Sequence, residues 1–76
     1  MRRMATILVG GSAPSKLKLL PRTKIVSFEN RGGGVVVTLV TELSAIGLLI
    51  EIKRLPSGRR ITLLGYGGRR PRGAWF

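Results

Sequence analysis

Several residue types are missing from this chain, and each absence removes a class of chemistry. The sequence has no cysteine, histidine, aspartate or glutamine, and its only acidic residues are Glu29, Glu42 and Glu51. Without cysteine there is no disulfide framework and no thiolate metal site, and without histidine there is no histidine acid–base catalysis and no Ser-His-Asp arrangement. We therefore expect a non-enzymatic protein with no cofactor, no metal and no small-molecule substrate.

Acidic residues are scarce beside basic ones. Fourteen Lys and Arg residues oppose three Glu residues, which leaves a net charge of +11 on 76 residues. Repulsion at this charge density lowers stability unless a polyanion neutralises it. Arginine outnumbers lysine ten to four, and its planar guanidinium matches phosphates and guanine edges. The composition therefore predicts a nucleic-acid-binding protein.

Membrane and targeting segments are not predicted. The apolar run 4–9 is too short for the apolar region of a signal peptide, and the long apolar stretch 35–52 is interrupted by Thr, Ser, Gly and Glu residues. We expect a cytoplasmic protein with no membrane partner. The scarcity of Cys, Asn and Gln is also typical of proteins from thermophiles.

The short chain is expected to form one domain built from strands. Apolar, β-branched or alternating segments lie at 5–9, 16–20, 24–29, 35–40 and 60–64. In the segment 16–20, KLKLL, the lysines would face solvent and the leucines the core. The segment 35–40, VVVTLV, is apolar on both faces, which is typical of a central strand or of one covered by a second subunit.

A glycine-rich turn separates two of these strands. Asn30 and the run Gly32-Gly33-Gly34 tolerate positive φ, so they predict a hairpin between 24–29 and 35–40. The bare glycine amides beside Arg31 are also a candidate phosphate contact, although they match no phosphate-loop motif.

The segment 41–54, TELSAIGLLIEIKR, fits two patterns. As a helix it would begin at Thr41, carry two basic residues in its last turn and be followed by Pro56. As a strand, its second half alternates apolar and charged residues, and the PSG that follows would turn the chain back into a strand at 60–64. We expect this second hairpin, with 41–46 as a loop or short helical turn, and keep the helix as the alternative.

Together these segments predict a mostly β fold. We expect a small antiparallel barrel or sandwich of about five to six strands, because an open sheet of this size buries too few apolar residues. The alternative is an α+β fold with one helix at 41–54. The domain is expected to cover 1–65, followed by a basic Gly/Arg-rich tail, 66–76, whose sequence YGGRRPRGAWF has no apolar period.

The candidate binding residues are the basic side chains, with two aromatic residues near the C-terminus as candidates for stacking on bases. They are Arg2, Arg3, Lys16, Lys18, Arg22, Lys24, Arg31, Lys53, Arg54, Arg59, Arg60, Tyr66, Arg69, Arg70, Arg72 and Trp75. For Trp75 and Phe76, docking on this protein or on a neighbour is an equal alternative to stacking.

RNA is favoured over DNA, because Arg-Gly segments without a core are typical of RNA binding. We expect an RNA-binding component of a ribonucleoprotein such as the ribosome, with neighbouring proteins as further partners. No base-reading motif is present, so recognition would depend on shape and phosphate. The alternatives are a DNA-coating, chromatin-like protein and a self-assembling nucleocapsid or ring subunit, a homo-oligomer joined through 35–40 and 48–52.

Overall fold

The computed structural model describes residues 2–11, 13–56 and 59–67. Its elements are β1 (Arg3–Gly10), a 3-10 helix (Ser15–Leu19), β2 (Thr23–Arg31), β3 (Gly34–Thr41), α1 (Ala45–Lys53) and β4 (Ile61–Gly67). The strands form one antiparallel sheet in the order β2-β3-β1-β4. The protein is therefore mostly β, with a single unclosed sheet and one α-helix in the described segments.

Two crossover connections determine the topology. Since β3 and β4 are both antiparallel to β1, they run parallel to each other, and α1 connects them across β1. In the same way, the 3-10 helix connects β1 to β2 across β3. This is the split β-α-β arrangement of ferredoxin-like topologies, with the first helix reduced to a 3-10 turn.

The core lies on one side of the sheet, which we call the helix side. Alternate residues of β1 and β3 point there as directly opposed pairs, such as Ala5 with Leu39 and Ile7 with Val37. Leu17 of the 3-10 helix and Leu48 of α1 are fully buried against them. Both helical segments therefore cover the same face, and the opposite face has no covering layer among the described residues.

The glycine-rich hairpin is confirmed. Arg31 pairs with Gly34, so Gly32 and Gly33 alone form the loop, with φ of 28° and 52°. Two consecutive positive φ values are typical of the type I′ turn, whose twist matches that of the strands it joins. The strands predicted at 24–29 and 35–40 are confirmed as parts of β2 and β3, and β3 is central, as its two apolar faces indicate.

The predicted barrel or sandwich is wrong. Within the described segments there are four strands rather than five to six, and the edge strands β2 and β4 do not pair with each other. The sheet buries enough apolar surface without closing because the two helical segments cover one face, an arrangement nearer to the α+β alternative.

The strand predicted at 16–20 is also wrong, because this segment is the 3-10 helix. Pro14 and Pro21 bracket it, and Leu17 and Leu20 are buried while Leu19 is 78% exposed. A spacing of three residues places Leu17 and Leu20 on the same side of a helix with three residues per turn. The alternation of Lys and Leu is typical of a strand, but the two leucines that contact the core are three residues apart, as in a 3-10 helix.

The hairpin expected for 48–64 is wrong, and the helix alternative is confirmed over Ala45–Lys53. Its N-cap is Ser44 instead of Thr41: the Ser44 hydroxyl accepts a hydrogen bond from the Gly47 amide at 3.1 Å. Leu48 and Ile52, one turn apart, are the buried residues of the helix. Arg54 caps the C-terminus two residues before Pro56.

The last strand is longer than the predicted segment 60–64. β4 continues to Gly67, and Tyr66 pairs with Ala5 of β1. The structure therefore includes two residues of the segment assigned to the tail, while 68–76 lie outside the described residues. No helix in the described segments has the length and apolar character needed to cross a membrane.

Candidate nucleic-acid interface

The uncovered side of the sheet, which we call the open face, has an uncharged centre. Residues of β1 and β3 that alternate with the core positions point there: Met4, Thr6, Leu8, Val36, Thr38 and Val40. All six are buried or half-buried, and none is aromatic. A base laid on this centre would find no ring to stack on.

Charge is concentrated at the two ends of the open face. At one end is a cleft of about 280 Å³, the first cleft, lined by Arg2, Arg22, Thr23, Lys24, Val40, Thr41 and Glu42. Its three cations come from two segments that are far apart in the sequence, and all three are exposed. One acidic residue, Glu42, lies among them, so the cleft has an excess of positive charge.

Strand pairing explains how these cations meet. Thr41, at the end of β3, pairs with Arg3 of β1 on one side and with Thr23 of β2 on the other. The residues that precede and follow these partners, Arg2 and Lys24, are thereby brought to the same corner of the sheet.

Arg22 is held in the first cleft by an unusual backbone conformation. Its φ of 53° is the only positive value at a non-glycine residue in the described segments. The Arg22 carbonyl accepts a hydrogen bond from the Glu42 amide at 3.1 Å, which joins the turn before β2 to the end of β3. Left-handed conformations at residues with a side chain cost free energy and tend to occur at functional sites.

A second cleft, of about 160 Å³, lies at the opposite end of the open face. Its lining is Leu8, Gly10, Arg31, Gly32, Gly33, Gly34, Arg60 and Thr62. Arg60 is brought there because Ile61 pairs with Val9 and the Gly10 amide donates to the Arg60 carbonyl at 3.0 Å. Arg31 also contacts Glu29 at 3.4 Å, with both side chains exposed.

The remaining predicted cations are not brought to these clefts. Lys16 and Lys18 are exposed on the 3-10 helix, and the Lys16 ammonium donates to the Pro56 carbonyl at 3.5 Å. Lys53 is exposed at the end of α1, while Arg54 contacts Glu51 at 3.5 Å. The hairpin expected from the sequence would place 53–54 opposite 59–60, whereas in the structure 53–54 form the end of α1.

Arg3 and Tyr66 interact with each other. The Arg3 guanidinium lies 5.9 Å from the centroid of the Tyr66 ring, and the ring packs against the core. Arg59 is exposed directly before Arg60. Arg69, Arg70, Arg72 and Trp75 lie outside the described residues.

Several cleft residues were not singled out from the sequence. Glu42, Thr23 and Thr62 line the clefts only because of strand order and register. No local motif marks them, so knowledge of the pairing is required to find them.

The chain matches no protein-family model, no curated protein and no solved structure, so any functional assignment depends on the geometry of these two clefts.

Proposed function

We propose that this is a non-enzymatic RNA-binding protein, a cytoplasmic component of a ribonucleoprotein, which holds the phosphate backbone through the two clefts of the open face. The observation that carries the proposal is the gathering of five separated cations at the two ends of one sheet face: Arg2, Arg22 and Lys24 in the first cleft, Arg31 and Arg60 in the second.

Each cleft suits a phosphate. Four of the five cations are arginines, whose guanidinium groups donate in a fork that fits two phosphate oxygens. In the second cleft, a Cβ placed on Gly32 or Gly33 would have no atom within 4 Å, so the space in front of this turn is open. A backbone can therefore approach these glycines closely, with an arginine on either side.

The two clefts are separated by the length of the central strands. β1 has eight residues, which corresponds to about 23 Å between its ends. The side chains of β1 and β3 between the clefts are uncharged, and the Glu29 carboxylate on β2 is in contact with Arg31, so a bound strand or duplex is held at two points and read by shape rather than by sequence.

RNA is favoured over DNA by the hydroxyl groups of the open face. Thr38 is half-buried at its centre, and Thr62 is exposed beside the second cleft. The 2′-hydroxyl of RNA both donates and accepts, and it is the group by which proteins distinguish RNA from DNA. An aromatic stacking surface, which single-strand binders use, is missing from the centre of this face.

Two variants with equal charge test the proposal. One is Arg22→Gln/Lys24→Gln/Arg60→Gln, which removes three cations from the clefts. The other is Lys16→Gln/Lys18→Gln/Lys53→Gln, which removes three exposed cations from the helix side. Affinity for a labelled RNA hairpin, a single strand and a DNA duplex is measured by fluorescence anisotropy between about 50 and 200 mM salt.

We expect the cleft variant to lower RNA affinity by on the order of a hundredfold and to reduce the slope of log K against log salt by about 2 to 3. The helix-side variant should change the affinity by less than about threefold, since its cations are exposed on the helical segments that cover the other face of the sheet and exposed charges are screened over about 8 Å. Equal losses of RNA affinity in both variants would show that binding depends on net charge alone and not on the clefts. Preference for the DNA duplex would favour the DNA-coating alternative.

A further inference from the structure

On the helix side of the molecule, three large apolar side chains of the two helical segments are exposed. Leu19 is 78% exposed, Ile46 is 72% exposed and Ile50 is 46% exposed. Ile46 and Ile50 are one turn apart, so they share the outer face of α1. Three exposed lysines lie on the same two helical segments: Lys16, Lys18 and Lys53. We call these six residues the helix-side surface.

The helix α1 is apolar on two opposite faces. Leu48 and Ile52 pack inward against the sheet, while Ile46 and Ile50 point outward. A helix that is apolar all round is normally covered on both sides. In the described residues only the inner side is covered, so the outer side is suited to an apolar environment supplied from outside the fold.

The exposed charges of the two helical segments are mainly positive: Lys16, Lys18 and Lys53, with Arg54 at the C-cap of α1. Glu51, the acidic residue of α1, is already in contact with Arg54. A second copy of the chain placed on this surface would bring lysines against lysines, so the charges disfavour a dimer here.

The surface is complementary to a partner that is anionic outside and apolar beneath. Lysine is a compact charge on a long flexible stem, suited to headgroups that have no fixed geometry. Basic residues around exposed leucine and isoleucine are typical of proteins that lie in the interface of an anionic bilayer. Such binding needs no transmembrane segment, so the lack of a spanning helix in the described segments does not bear on it.

We propose that the helix-side surface docks on an anionic lipid bilayer. Leu19, Ile46 and Ile50 enter the boundary between headgroups and acyl chains, and the three lysines contact the anionic headgroups. The proposal is independent of nucleic-acid binding, because the clefts lie on the other side of the sheet and remain exposed when the helix side is docked.

Vesicle binding by the full chain tests this proposal. Partition is measured by sedimentation at about 150 mM salt, with vesicles of phosphatidylcholine alone and with about a third of phosphatidylserine. Three variants are compared with the unaltered chain. One is the apolar variant Leu19→Ser/Ile46→Ser/Ile50→Ser, and the other two are the helix-side lysine variant and the cleft variant. Each replaces exposed side chains, and circular dichroism verifies that the fold is retained.

The apolar variant and the helix-side lysine variant should each lower the partition coefficient by on the order of a hundredfold. The cleft variant, with the same net charge as the lysine variant, should change it by less than about threefold, because its altered cations lie at the ends of the open face, across the sheet from the docked surface, and exposed charges are screened over about 8 Å. Equal losses in the two charge variants would overturn the proposal, as would failure of the unaltered protein to bind anionic vesicles.

The absence of cysteine from the sequence provides a second readout. A single Ile50→Cys or Thr62→Cys variant carries one environment-sensitive fluorophore, on the helix side or on the open face. We expect a blue shift with anionic vesicles at Ile50→Cys and none at Thr62→Cys, and the reverse pattern would overturn the proposal. Sedimentation equilibrium without lipid tests whether a second copy of the chain binds to this surface. A dimer that forms with the unaltered chain and is lost in the apolar variant would assign the surface to that second copy instead.

Discussion

The side-chain oxygens of Thr23 and Thr41 lie 2.9 Å apart, which fastens the start of β2 to the end of β3 at the first cleft. Thr41 is 1% exposed, and its hydroxyl also accepts the Leu43 amide at 3.0 Å. The Thr23 hydroxyl in turn lies 3.0 Å from the Pro21 carbonyl. One chain of hydrogen bonds therefore joins the turn before β2 to the segment that leads into α1.

The substitution Thr41→Val keeps the shape of the side chain and removes its hydroxyl. It leaves the buried Leu43 amide without its acceptor, so we expect the free energy of unfolding to fall by about 1 to 3 kcal/mol. Urea denaturation measures this. The matched control is Thr38→Val, half-buried on the open face of the same strand, which should change stability by less than about 0.5 kcal/mol. Equal effects at the two positions would contradict the role of this network.

Gly34 and Gly10 pair with each other, yet alanine should affect them differently. A Cβ on Gly34 would lie 2.9 Å from the Val9 carbonyl oxygen and 3.1 Å from a Leu8 methyl group, whereas one on Gly10 would meet nothing closer than 3.9 Å. We expect Gly34→Ala to lower the free energy of unfolding by about 1 to 3 kcal/mol and Gly10→Ala to leave it unchanged or raise it by about 0.5 kcal/mol. Thermal and urea unfolding of the two variants provide the comparison.

The segment with the most specific local signal was predicted correctly from the sequence. The hairpin of β2 and β3 follows from consecutive glycines between two apolar runs, a pattern that few other structures fit. The region 48–52 carries apolar residues at almost every position, so it satisfies the period of a strand and of a helix equally. Its helical state depends on the Ser44 cap and on burial of Leu48 and Ile52, and burial is a property of the whole fold.

The basic residues of the two clefts could be predicted from the sequence, but which of them share a cleft could not. Arg31 and Arg60 share a cleft because β1 lies between β3 and β4, and that order depends on two crossover connections. The sequence-based hypothesis placed Arg60 beside Lys53 instead, because it assumed that neighbouring segments pair. Strand order is decided by core packing between distant segments, which no window of the sequence contains.

Replacing Arg22 by glycine should lower RNA affinity while leaving the free energy of unfolding nearly unchanged. The left-handed conformation of Arg22 costs a residue with a Cβ about 1 to 2 kcal/mol, and glycine is free of this cost but loses more chain entropy on folding. We therefore expect Arg22→Gly to leave the free energy of unfolding within about 1 kcal/mol of the original. RNA affinity should fall by about five- to tenfold, because one phosphate contact is lost.

Two comparisons make the Arg22 result interpretable. Arg22→Val, with a β-branched side chain that is poorly tolerated at positive φ, should destabilise the protein and lower RNA affinity. Lys24→Gly, in the extended conformation of β2, should destabilise by about 0.5 to 1 kcal/mol with no strain to relieve. If Arg22→Gly binds RNA as well as the unaltered chain, Arg22 makes no contact in the first cleft.

Tyr66 has two interpretations with different consequences. From the sequence it is a candidate for stacking on a base, whereas in the structure its half-buried ring packs against the core beside Arg3. The buried Tyr66 hydroxyl has no hydrogen-bond partner among the described residues. Removing it in Tyr66→Phe should therefore raise the free energy of unfolding by about 1 kcal/mol, as measured by urea denaturation.

The variant Tyr66→Leu separates packing from stacking. Leucine keeps much of the apolar volume but has no ring, so packing alone predicts a loss of about 1 to 2 kcal/mol in the free energy of unfolding and a change in RNA affinity of less than about twofold. Stacking on a base would instead be worth about 1 to 3 kcal/mol of binding, or roughly a five- to hundredfold loss of affinity. We expect the first outcome, because the ring lies on the helix side of the sheet and lines neither cleft. Anisotropy titrations of Tyr66→Leu and Tyr66→Phe with the same RNA distinguish the two outcomes.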